Sequence, residues 1–180
     1  MNLNAEHHTI LLVEDSPLDV MFLQRAFREL GVKHRLVTVS DGAEAKDYLE
    51  GRGPYADRQE FPLPKLILLD LGLPHVNGFE VLQWLRSHET LRHLIVIVLS
   101  GSVFSPDIKR SYALGANSFL VKPAGIKELC STIKSLLDFW LQKASVPDAV
   151  PHPTPTVIEF QQPDATPQAE PGRQASAPLP

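Results

Sequence analysis

The chain has 180 residues, 43% of them apolar, and a net charge of −4, the balance of a soluble globular domain large enough to bury one sizeable core. That acidity, with no basic helix face, argues against nucleic acid as a direct partner. No run approaches the ~20 apolar residues of a membrane helix, so no membrane partner is expected. Met1–Thr9 is polar and carries no signal-type apolar stretch. With Cys130 as the one cysteine, this predicts a cytoplasmic chain without internal disulfides, in which Cys130 is a small apolar helix residue.

Thr9 to Val13 predicts a first strand that ends in the acidic pair Glu14-Asp15. Asp15-Ser16-Pro17 then opens a helix, because Asp and Ser cap well and proline suits a first turn. Val20, Leu23, Phe27 and Leu30 recur at helical spacing, and Gly31 ends the pattern. A more polar strand, His34 to Val39, precedes Ser40-Asp41-Gly42 and a helix over Ala43 to Leu49. Glu50 to Pro64, with three prolines and two glycines, reads as a loop. Lys65 to Leu69 reads as a strand of the kind buried on both faces, with the unbroken apolar run Leu66-Ile67-Leu68-Leu69 ending at Asp70.

Asn77-Gly78 starts a third helix carrying Phe79, Val81, Leu82 and Leu85. The strand Leu94 to Leu99 ends in Ser100-Gly101-Ser102. Pro106-Asp107 opens a fourth helix that closes at Leu114-Gly115. Ser118 to Val121 is a fifth strand ending in Lys122-Pro123, and Ile126 to Gln142 is the last helix. Five strands alternating with five helices imply right-handed crossovers and a doubly wound parallel α/β sheet. In the flavodoxin-like order 2-1-3-4-5 the first and third strands adjoin at the topological switch point.

Composition shifts near Lys143: nine of the sixteen prolines fall between Ser145 and Pro180. Such a segment cannot bury enough surface to offset its ordering entropy. The expected organisation is a flexible N-terminus at 1–8, a folded domain at 9–143 and a Pro-rich disordered tail at 144–180. Within that tail, Val157-Ile158-Glu159-Phe160 is an apolar island.

The strand ends carry the chemistry. The switch-point rule gathers Glu14, Asp15 and Asp70 in one crevice, where three carboxylates repel unless a cation intervenes. Oxygen ligands without His or Cys suit Mg²⁺, with the Gly72 carbonyl as a further donor. Asp70 is then placed to attack phosphorus. Lys122 and Ser100 can meet phosphoryl oxygens as a point charge and a hydrogen-bond donor, joined by the amides of Leu71 and Gly101.

Thr9 to Lys143 resembles response-regulator receiver domains. The pieces that match are Ile10-Leu-Leu-Val-Glu-Asp-Ser, Leu68-Leu-Asp-Leu-Gly-Leu-Pro, Asn77-Gly, Val98-Leu-Ser-Gly, Gly115-Ala and Lys122-Pro123. The resemblance implies phosphoryl acceptance at Asp70 and metal ligation by Asp15, Asp70 and the Gly72 carbonyl, with Glu14 reaching the metal through water. It implies a signalling hydroxyl at Ser100, a phosphate-binding Lys122, a switching aromatic at Phe119 and a cis Lys122–Pro123 bond. Glu14 and Ser100 stand where Asp and Thr are commoner in the family.

Nothing after Lys143 reads as an output domain, so a stand-alone receiver is expected, a phosphorylation-driven signalling module and not an enzyme. Its phosphoryl donor would be a sensor histidine kinase. The long Glu50 to Pro64 loop with Gly53-Pro54-Tyr55 is similar to that of regulators partnering bacterial phytochromes. On the last helix, Ile126, Leu129, Cys130, Ile133, Leu137, Trp140 and Leu141 form the core stripe. Leu136 and Phe139 fall outside it, as an apolar patch for a homodimer or an effector. Competing readings are a receiver-fold scaffold that is no longer phosphorylated and a haloacid-dehalogenase-type phosphatase. The phosphatase requires an acid where Gly72 stands, and a nucleotide-binding domain requires a glycine-rich turn where Asp15-Ser16-Pro17 stands.

Overall fold

A computed structural model describes residues 7–145. Five strands, β1 (Thr9–Val13), β2 (Arg35–Val39), β3 (Leu66–Leu69), β4 (Ile95–Ser100) and β5 (Ser118–Val121), form one parallel sheet in the order β2-β1-β3-β4-β5. They alternate with α1 (Pro17–Glu29), α2 (Gly42–Glu50), α3 (Gly78–Ser87), α4 (Ser105–Ala113) and α5 (Ile126–Leu137). The doubly wound sheet and its order are those expected. The expected tail beyond residue 145, including Val157-Ile158-Glu159-Phe160, lies outside the described residues.

The two faces of the sheet fill separate cores. Leu11, Val13, Ile67, Leu69, Val96 and Val98 point to the side covered by α2 and α3. Ile10, Leu12, Leu66, Leu68, Ile97 and Leu99 point to the side covered by α1 and α5. Continuous apolar runs in β1, β3 and β4 are therefore a requirement of burial on both faces. Helix starts follow their caps: Ser16 accepts from the Asp19 amide, and Asn77 forms a reciprocal capping box with Glu80.

The Glu50 to Pro64 loop is more structured than its composition suggested. It contains a short 3₁₀ turn at Gly53–Tyr55, and its Tyr55 and Phe61 pack edge-on with each other and with Tyr48 of α2. Arg58 donates to the carbonyls of Tyr48, Leu49 and Phe61, so a guanidinium caps the end of α2.

The last helix departs from expectation. It is α-helical only to Leu137 and continues as a π-turn over Asp138–Lys143. The Leu136–Phe139 patch is split accordingly. Leu136 is 7% exposed and packs in the core with Leu129, Ile133 and Leu137, since spacings of three and four place all four on one helical face. Phe139 is 52% exposed, edge-on against Trp140.

His7 and His8, the described end of the N-terminal segment, contact the residues that precede β2. The His8 amide donates to His34 Nδ1, the two rings stack, and His7 Nδ1 lies 3.1 Å from the Lys33 carbonyl oxygen. Burial, then the neighbouring His8 and His7, hold the His34 imidazole below its usual pKa. The unfolded chain therefore protonates first. Stability should be complete above pH ~6.5 and be lost as pH falls through the lower folded value. Melting temperatures measured across pH 5–8 should show that loss, and His34→Gln should flatten it. An unchanged pH profile in His34→Gln would contradict this.

Candidate functional site

Sheet register assembles the crevice. Val13 pairs with Leu69, so Glu14 and Asp70 each stand one residue beyond adjoining strands. The ladder runs on through them: the Glu14 amide donates to the Val39 carbonyl and the Asp70 amide to the Val13 carbonyl. At the other side Ser100 pairs with Val121, and the Lys122 amide donates to the Ser100 carbonyl. Strand alternation sends Glu14, Asp70 and Lys122 toward the face carrying α1 and α5.

One ligand atom each from Glu14, Asp15 and Asp70 lies within 4.8 Å of the others, the only such His/Cys/Asp/Glu group among the described residues. Glu14 is 2% exposed and Asp70 7%, whereas Asp15 is open to solvent. The Gly72 amide donates to Asp70 Oδ2 at 3.1 Å, orienting the carboxylate, and the Ser16 amide donates to Glu14 Oε1. Ser100 is buried, and its hydroxyl oxygen accepts from the Ser102 amide. Phe119 is half-buried on β5, packed against the α2–α3 core, and its amide donates to the Tyr112 hydroxyl.

Lys122 reaches into this cluster with its side chain 19% exposed. Its Nζ lies 2.7 Å from Glu14 Oε2, 2.8 Å from Asp19 Oδ2 and 3.5 Å from Asp70 Oδ1. Burial alone would lower the lysine's pKa. Hydrogen bonding to Asp19 and Glu14, with the Asp70 charge, reverses that and pushes it up to about 12. Burial also raises the Glu14 carboxyl, and the ammonium only partly opposes this. Glu14 Oε2 is buried, with the Lys122 ammonium at 2.7 Å as its partner. Three carboxylates gathered in an all-oxygen cluster, two of them buried and with one lysine to offset their charge, fit a hard divalent cation.

Two findings differ from the sequence reading. The Lys122–Pro123 bond is trans, as is every described peptide bond, so the cis bond is corrected. Trans is the lower-energy isomer of X–Pro by about 0.5–1 kcal/mol, and Lys122 reaches the carboxylates from a trans linkage. Asp19 is a new member of the site. Its signal was present in the first turn of α1, three residues after the Ser16 cap, but only packing of α1 against α5 on one face of the sheet brings it to Lys122.

Known proteins are similar to this chain in sequence and fold. Residues 10–134 match the response regulator receiver domain family. The chain is 40% identical to the probable methanogenesis regulatory protein FilR2 of Methanothrix harundinacea, across 73% of this chain and 83% of that one. It is similar to the crystal structure of the phosphorylated cyanobacterial phytochrome response regulator RcpA, with 42% identity, a TM-score of 0.73, and coverage of 79% of this chain and 99% of that one. The Mn²⁺-bound form of response regulator Rcp1 aligns with a TM-score of 0.69 at 35% identity, across 78% and 99% of the two chains; Rcp1 is from Synechocystis. A family match spanning most of the folded region, set on a crevice whose acids and lysine meet as described, makes this chain a member of the response regulator receiver family.

Proposed function

We propose that Asp70 accepts a phosphoryl group from a phosphohistidine of a sensor histidine kinase. The observation that carries this is the Asp70 carboxylate itself: nearly buried, oriented by the Gly72 amide, beside Glu14 and Asp15, and within reach of the Lys122 ammonium. In the transfer an Asp70 oxygen bonds to phosphorus while the phosphorus–nitrogen bond of the donor breaks, the electron pair leaving with the imidazole. Lys122 and the Ser100 hydroxyl supply a charge and a donor for the phosphoryl oxygens. Phe119, on the strand that carries Lys122, is the packed side chain through which the new charge is read.

Mg²⁺ is the proposed cation, held by Asp15, Asp70 and the Gly72 carbonyl, with Glu14 reaching it through water. When bound, it neutralises the cluster and polarises phosphoryl oxygens. A bacterial phytochrome is the proposed kinase, on the likeness to the phytochrome response regulator RcpA. Self-association through the last helix would rest on Phe139. Incubation with a phosphorylated histidine kinase core and Mg²⁺ tests the main proposal. One acid-stable, base-labile phosphoryl group per chain is expected, and no transfer from any histidine phosphodonor would refute it.

The cation gives a separate prediction. At 10- to 100-fold excess over its dissociation constant, Mg²⁺ should stabilise the fold by on the order of 1–3 kcal/mol. Asp15→Asn should remove most of this gain. Equal Mg²⁺-induced melting shifts in both proteins would rule the cluster out.

A further inference from the structure

Three carboxylates surround the Lys122 ammonium, and only two of them belong to the metal cluster. Glu14 and Asp70 are shared between the lysine and the acidic group; Asp19, on α1, is not part of that group. A divalent cation in that group would compete with the Lys122 ammonium for the Glu14 and Asp70 carboxylates, and its charge would repel the ammonium in a part-buried site, which pushes Lys122 away from them. Lys122 must then keep a partner elsewhere or be left unpaired in a half-buried position, which is costly. Asp19 Oδ2 is already at 2.8 Å. On that side a cavity of about 230 Å³, lined by Asp19, Phe22, Leu23, Lys122, Pro123 and Ala124 among others, gives the side chain room to swing.

We propose that Asp19 is a positioning residue for Lys122: it retains the ammonium when Lys122 leaves Glu14 and Asp70, and so sets how tightly the acidic cluster holds a divalent cation. This rests on the reading of Glu14, Asp15 and Asp70 as the cation site. Asp19 touches neither the cation nor the phosphoryl group; it acts only through Lys122. Loss of its charge would also weaken a cation at long range, but that effect does not depend on Lys122. A double-mutant cycle separates the two.

The test is calorimetric titration of the full chain with MgCl₂, comparing wild type, Asp19→Asn, Lys122→Met and the double variant, each checked for an intact melting transition. With Lys122 present, Asp19→Asn should weaken Mg²⁺ roughly fivefold or more; in the Lys122→Met background it should change affinity by less than roughly twofold. Asp19→Glu, which keeps a carboxylate within reach, should restore most of the wild-type affinity. Equal losses from Asp19→Asn in both backgrounds would overturn the proposal while leaving the cation site standing. Wild-type binding that Asp15→Asn does not weaken would overturn the cation site and the proposal with it.

Discussion

Asp70→Asn should abolish phosphorylation. Wild-type protein incubated with acetyl phosphate and Mg²⁺ should gain one phosphoryl group, stable in acid and released by base or hydroxylamine, as expected of an acyl phosphate. The carboxamide is a poor nucleophile and cannot form that bond, so the variant should show no mass increase. The fold should survive. An Asn side-chain oxygen can still accept from the Gly72 amide, and removal of one negative charge relieves repulsion with Glu14 and Asp15 while weakening attraction to Lys122. These opposing terms should leave the melting temperature within a few degrees of wild type or above it. Labelling of a folded Asp70→Asn protein would move the acceptor to another residue.

The largest expected effect on stability lies beneath the same residue. Gly78, the first residue of α3, packs against the backbone that carries Asp70. A Cβ added there would lie 2.1 Å from the Asp70 carbonyl oxygen and 2.8 Å from the Leu71 Cα. Both are backbone atoms, so no side-chain rotation relieves the clash. Gly78→Ala should therefore destabilise by about 3 kcal/mol, the upper part of the range for overpacking. For a domain of this size that is a fall of roughly 10 °C in melting temperature. Because the displaced backbone leads into Asp70 and Gly72, labelling should also slow in protein that remains folded. Gly101→Ala is the control, since a Cβ there meets nothing within 4 Å. Equal melting temperatures for the two variants would show that α3 shifts freely away from β3.

How much of this was legible beforehand differs by element. Strand and helix order, the sheet order and the crevice acids followed from apolar runs that end abruptly in charge. Leu66 to Leu69 could be placed because a strand buried on both faces leaves no polar alternation to confuse its reading. The last helix was harder. Its apolar stripe ran through Leu141 and the helix was expected to reach Gln142, but the α-helix stops at Leu137, and the following π-turn is a hydrogen-bonding choice that apolar spacing does not encode. Leu136 was misplaced for a related reason: a helix stripe wide enough to include it is set by how broad a surface β4, β5 and α1 offer, which one helix cannot report.

The sequence by itself determined the doubly wound order and the identity of Glu14, Asp15, Asp70, Ser100 and Lys122 as strand-end groups, because local patterning places each residue along its own element. The switch-point rule also gathered Glu14, Asp15 and Asp70, but only the tertiary structure decided the direct contacts of Lys122 with Glu14, Asp19 and Asp70. Lys122 and Asp19 are 103 positions apart. Their contact depends on α1 and α5 packing on the same face of the sheet, with Lys122 directed there by its alternation from β5. The trans Lys122–Pro123 bond, the Arg58 cap on α2 and the His8–His34 stack are likewise contacts between elements distant in the chain or choices between close-lying conformers. The energies that select them come from partners that sequence spacing does not name.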